Sequence, residues 1–187
     1  MTKIRCVRLW AEPADRRERL CRAFYDDIYR DSFPELDEAE DPDIWPPLMR
    51  CDPPRDKPRV FLIAACEGVS DADGERVLGG IIFELYARSG DWLATYIAVR
   101  AVQRGAGLGK ALFEQMLKAI AELAPDPGWQ LYAEAENQLC CSGPRRAEMY
   151  RRLIMLSSFG LRHLPFNYVQ PALAPGKQQL AGLLFLC

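Results

Sequence analysis

The 187-residue sequence predicts a mixed α+β fold built as a single domain. Three observations carry that prediction. Short apolar or alternating runs of strand length interleave with amphipathic stretches of helical period. Apolar residues make up 49% of the chain, enough to bury one core at this length without staples. No internal repeat interrupts the pattern, and no linker is long enough to separate one domain from another.

The elements follow in order. Residues 4–10 read as a short strand. Residues 12–30 carry Leu20, Phe24 and Ile28 four apart, with Cys21 and Tyr25 beside them, the spacing of an amphipathic helix. Residues 31–58 are rich in proline and acid, with six carboxylates between Glu35 and Asp43 and a short helix expected at residues 44–50. Residues 59–67 (RVFLIAACE) and 77–87 (VLGGIIFELYA) are strand runs joined by the turn-rich SDADGE. Residues 92–99 form the next strand. A helix over residues 104–123 follows, with Leu112, Met116, Ile120 and Leu123 on one face, until the prolines at 125 and 127 break it. Residues 129–136 alternate like a strand, residues 144–157 look helical, and two last strands are expected at residues 164–169 and 179–186.

Composition narrows the function. A net charge of −2 suggests neither nucleic acid nor an anionic membrane as partner. The opening MTKIRCVRLW has no apolar signal core, and no stretch approaches membrane-spanning length, so a cytoplasmic protein is expected. Seven cysteines without C-x-x-C spacing and a single histidine, His163, supply no ligand set for a transition metal; reduced thiols and no metal are the expectation. The adjacent Cys140 and Cys141 are poorly placed for a relaxed disulfide and read as loop residues.

Residues 99–116, VRAVQRGAGLGKALFEQM, carry the chemistry. Gly105, Gly107 and Gly109 leave the backbone bare at alternate positions, so several N–H groups can converge on one anion. The helix that follows adds the positive end of its dipole. A Walker A loop would need glycine at 104 and Ser or Thr at 111, where the chain has Arg104 and Ala111. The dinucleotide spacing G-x-G-x-x-G fails too, at Lys110 or Leu112 according to the starting glycine. What fits is Arg104-x-x-Gly107-x-Gly109, with Gln103 before it, between an apolar strand and a helix.

That string resembles the acyl-CoA signature of the GNAT superfamily of N-acetyltransferases, and the order of strands and helices resembles that fold as well. The likeness is strongest over residues 77–150 and extends to 186, where FNYVQPAL and LAGLLFL resemble the closing strand pair; it is weak before residue 59. It implies a twisted, mostly antiparallel sheet of six to seven strands flanked by about four helices. By the same resemblance the donor is acetyl-CoA, used as co-substrate, and the reaction is direct attack by a primary amine, from a small molecule or a peptide, in a ternary complex. The cofactor would be held by Ile97, Ala98 and Val99 through their backbone, by the loop Arg104, Gly105, Ala106, Gly107, Leu108, Gly109 and Lys110, and by Asn137. Arg145, Arg146, Arg151 and Arg152 are candidates to meet the 3′-phosphate.

Two side chains fit the acid and base that such a reaction needs. An alkyl ammonium with a pKa near ~10 must lose a proton before it attacks. Glu84 stands in the apolar run IIFELYA, where burial would raise its pKa toward a useful range. Glu134, Glu136 or a water are rivals for the base. Tyr150, in RRAEMYRRL, resembles the tyrosine that faces the leaving sulfur in the family. The acidic residues 35–43 would suit a cationic amine. The apolar closing strands, if left at an edge, would favour a homodimer. A second reading keeps the same cradle without turnover: an acyl-CoA-binding sensor or assembly domain.

Overall fold

The computed structural model describes residues 4–34, 39–50, 57–68, 74–124 and 128–187. Cys51, most of the turn 70–75, the helix break at 125–127 and a stretch of the acidic run 35–43 lie outside them. Among the described residues seven strands form one sheet: β1 (Arg5–Arg8), β2 (Arg59–Glu67), β3 (Arg76–Tyr86), β4 (Asp91–Val99), β5 (Leu131–Glu136), β6 (Tyr168–Gln170) and β7 (Leu180–Leu186), in the spatial order β1-β2-β3-β4-β5-β7-β6. Every neighbouring pair is antiparallel except β4–β5, which is parallel. The mixed fold with a mostly antiparallel seven-stranded sheet is therefore the one expected.

Helices cover both faces. On one lie α1 (Ala14–Phe24), α2 (Arg30–Ser32) and α3 (Trp45–Arg50); on the other, α4 (Leu108–Leu123) and α5 (Gly143–Ser158). Each face has its own core. Phe24, Tyr29, Trp45, Leu62 and Ile82 fill the first, and Phe61, Phe83, Trp92, Leu112 and Met116 the second. Each of these large side chains is worth about 1.5–3 kcal/mol when removed from water. Phe113 stacks on Phe159 with ring centroids 4.3 Å apart, which fastens α4 to the end of α5.

Several boundaries differ from the expected ones, each for a local reason. Residues 9–11 leave the first strand as a 3₁₀ turn, with Leu9 buried. The long first helix widens into a π turn at Tyr25–Tyr29 before α2. That turn sets Tyr29 and Phe33 against Tyr96, each pair with centroids 5.0 Å apart. The helix expected from residue 104 starts only at Leu108, because Gly105 and Gly107 hold φ of 81° and 82°, outside the right-handed helical region. The first of the closing strands shrinks to three residues between Pro165 and Pro171, whose rings remove ladder donors. Of the two closing runs, FNYVQPAL supplies β6, at the edge of the sheet, and LAGLLFL is β7, with β5 and β6 paired to it on either side. The longer of the two apolar runs is thus an interior strand, and the shorter forms the edge.

Candidate active site

β4 and β5 touch only at their beginnings, through the pairs Trp92–Leu131, Leu93–Tyr132 and Ala94–Ala133. Beyond them β4 stays with β3 as far as Val99–Gly79, while β5 turns to β7 as far as Glu136–Leu183. The sheet thus opens into a cleft at its centre.

A bulge at Thr95 shapes one wall. Ile82 pairs with Tyr96 and Phe83 with Ala94, so Thr95 is the extra residue. The insertion reverses the alternation of side chains, and Trp92 and Tyr96, four residues apart, lie in opposite cores. Past the bulge, the Arg100 N–H donates to Leu78 O on β3. By alternation Ala98 also directs its N–H to β3, while Ile97 and Val99 turn theirs to the open side. Of the three expected backbones, two face the cleft.

The glycine loop follows the end of β4, and of its residues Arg104 lines the cleft. Ala111 N–H makes the first bond within α4, to Gly107 O, which leaves the N–H groups of Leu108, Gly109 and Lys110 at the helix start without intrahelical partners. A Cβ placed on Gly105 or Gly107 would meet nothing within 4 Å, so the cradle is open. Arg104 donates through Nε to Val99 O (3.3 Å) and lines the cleft. Lys110 is exposed and 3.8 Å from Glu114. Asn137 is occupied locally: its side chain accepts from Leu139 N–H at 2.9 Å.

Two adjoining chambers make up the cleft. The first, about 430 Å³, lies between Arg104, Tyr96 and the start of α5, with Arg145, Met149 and Arg152 on the α5 side. The second, about 520 Å³, is lined by Glu40, Glu84, Tyr86, Glu134, Tyr168 and Phe185, among others. Thr95, Glu134 and Gln170 belong to both. At that junction Thr95 Oγ1 is buried with no hydrogen-bond partner.

Glu84 is 7% exposed and accepts from the Tyr86 hydroxyl at 2.9 Å. Burial first, then the neighbouring charge of Glu40, pushes its pKa up to about 7; the Tyr86 bond pulls the other way and Glu134 adds to the rise. Glu134 accepts from the Tyr168 hydroxyl on one oxygen and from Gln170 Nε2, at 2.5 Å, on the other. Its pKa is also raised, by burial, against both hydrogen bonds. Glu40 accepts from the Trp45 indole at 2.9 Å and is raised by burial as well. Glu136 pairs with Arg145.

Tyr150 is not in this cleft. On α5, residues 145, 148, 149 and 152 turn to the first chamber, and Tyr150, one step past Met149, is rotated by about 100°. It is 56% exposed and lines a separate depression with Leu153, Ile154 and Ser157. Arg146 and Arg151 do not line the cleft, whereas Arg145 and Arg152 do. Glu40, Thr95, Tyr168 and Gln170 had no distinguishing mark in the sequence, apart from the place of Glu40 in the acidic run.

No helix among the described residues is long and apolar enough to cross a membrane. No family model matches the sequence, and no curated protein matches it. Solved structures do match. A Bacteroides thetaiotaomicron protein assigned as an acetyltransferase of the GNAT family superposes with a TM-score of 0.59 at 15% identity, over 98% of this chain and 85% of that one. An acyl-CoA N-acyltransferase from Pseudomonas aeruginosa gives 0.59 at 14% identity, over 100% and 98%. Arabidopsis thaliana NAA60 in complex with acetyl-CoA gives 0.59 at 12% identity, over 98% and 97%. With its sheet splayed between β4 and β5 above a glycine loop, the chain has the fold of the GNAT acetyltransferases.

Proposed function

We propose that the protein is an acyl-CoA-dependent N-acyltransferase that moves an acetyl group from acetyl-CoA to a primary amine of a small molecule or peptide. The observation that carries this reading is the splaying of β4 from β5 directly between the glycine loop and the buried Glu84. The fold shared with an acyl-CoA N-acyltransferase and with a protein bound to acetyl-CoA supports the donor.

Acetyl-CoA brings an activated thioester. In the reaction a nitrogen–carbon bond forms and the carbon–sulfur bond breaks; the ammonium gives up two protons, one to a base and one to the departing sulfur. The start of α4, with Arg104 beside it, fits the phosphates: unpaired N–H groups, a helix dipole and no side chain in the cradle. The outward N–H groups of Ile97 and Val99 fit the amide-rich arm of the donor, and an N–H on this open edge can receive the negative charge that builds on the carbonyl oxygen. Glu84 is the base. A carboxyl raised to about 7 is half ionised near neutral pH and is a far better proton acceptor than one at its ordinary 4.5. Glu134, tied on both oxygens, serves as a fixed charge rather than as the base.

The test is an acetyl-CoA-dependent thiol-release assay over a panel of amines. Release with at least one amine, lost in Glu84→Gln, supports the reading; tight acetyl-CoA binding without release for any amine would favour the non-catalytic domain.

A further inference from the structure

The second chamber has a composition that a single ammonium does not require. Glu40, Glu84 and Glu134 reach it from three separate regions of the chain, the segment before α3, β3 and β5. Among the described residues neither Glu84 nor Glu134 forms an ion pair; the donors to them are the neutral Tyr86, Tyr168 and Gln170. Lys177 places a positive charge near Glu40, and its ammonium donates to Ala39 O. Buried carboxylates left in this condition repel each other and resist ionisation. A ligand with separated positive charges would relieve both penalties.

A metal ion is not what the arrangement suits. Among the described residues no three His, Cys, Asp or Glu side chains converge closely enough to hold one. The carboxylates are dispersed around the wall, which fits charges spread along a chain. Aromatic rings line part of the remaining wall: Tyr132 stacks on Phe185 at 5.2 Å, and Phe185 on Tyr168 at 4.8 Å. Ring faces attract alkylammonium groups and also pack against methylene spacers. At about 520 Å³ the chamber has the size of a small-molecule site.

Resting on the transferase reading above, we infer that the acceptor is a linear di- or polyamine, bound along the second chamber with one nitrogen at Glu84 and a distal ammonium held by Glu134 or Glu40. The proximal nitrogen loses its proton to Glu84 and takes the acetyl group, while the distal one stays charged and fixes the register.

The experiment compares 1-aminopentane, 1,5-diaminopentane, a linear triamine, phenethylamine, an amino sugar and a lysine peptide at saturating acetyl-CoA, with the full chain. The diamine or triamine is expected to exceed the monoamine at least tenfold in kcat/KM. Glu134→Gln and Glu40→Gln are expected to raise KM for the diamine more than for the monoamine, with thermal melts checking that each variant is folded. Equal rates for monoamine and diamine, or a preference for phenethylamine, the amino sugar or the peptide, would overturn the inference. Calorimetric titration of 1,5-diaminopentane, without acetyl-CoA, separates the two claims. Binding weakened by Glu134→Gln, with no acetylation of any amine, supports the cation chamber and defeats the transferase. Acetylation of other amines with no diamine binding defeats the chamber alone.

Discussion

Gly80 lies directly beneath the ring of Phe24: a Cβ at position 80 would sit 2.7 Å from a ring carbon, closer than any real contact. The bare backbone of β3 is what lets α1 lie so near the sheet, and α1 in turn leads through the π turn to the cleft-lining residues 31–34. Gly80→Ala is expected to destabilise the fold by about 1–3 kcal/mol through overpacking. Calorimetry should show a lower Tm, and Phe24→Leu in the same chain should recover some of the loss. Additive effects of the two substitutions would mean that the ring is not the obstacle.

Glu84 ties activity to pH. As the base it must be ionised, so kcat/KM should rise through about pH 7 and level off above it. Glu84→Gln should lower the rate and remove that rise. A pH profile with the same inflection in the variant would assign it to another group.

The same carboxyl should cost stability. Its folded pKa lies above the ordinary value of 4.5, so the folded state holds a proton that the unfolded chain has lost. Stability from this group is therefore greatest below pH 4.5 and falls as pH rises toward 7, by an amount on the order of 3 kcal/mol for a shift of this size. Glu84→Gln should raise the Tm relative to wild type at pH 8 and lose that advantage at pH 4. An equal Tm difference at both values would disprove the assignment.

Gly107 is the point at which the donor site should be most fragile. Its φ of 82° is hostile to a β-branched side chain, so Gly107→Val strains the loop by about 1–3 kcal/mol and fills the cradle. Acetyl-CoA should raise the Tm of the wild type and not of this variant. A shift produced by ATP or NAD instead would redirect the loop to another ligand.

Tyr150→Phe should leave kcat within about twofold of wild type, since Tyr150 faces away from both chambers. A loss on the order of 10²-fold, the effect expected of a proton donor, would mean that α5 turns in the working complex.

The contrast between Gly107 and Tyr150 shows what was legible in the sequence. A glycine loop is a local object: its spacing, its strand before and its helix after lie within a short stretch of chain, and all could be read directly. Glu84 was legible because a lone acid in an apolar strand has few places to go. The aim of Tyr150 was not, because one residue of error in a helix turns a side chain by about 100°. Glu40, Glu134 and Tyr168 line one chamber only through the tertiary fold, so no window of sequence contains them together. The Thr95 bulge left no trace, as nothing in DWLATYIAV marks which residue is extra.

Three residue pairs form the ladder between β4 and β5, so the sheet is two plates sharing a short seam. One plate carries β1 to β4, the other β5 to β7. Backbone hydrogen bonds fix the seam's position but exert little leverage on the angle at which the plates stand. That leverage falls to the core across the back, which draws side chains from both plates and includes the stack of Phe113 on Phe159. The angle at which the plates stand, and with it the width of the opening, is therefore a property of side-chain packing behind the sheet and not of its hydrogen-bond ladder.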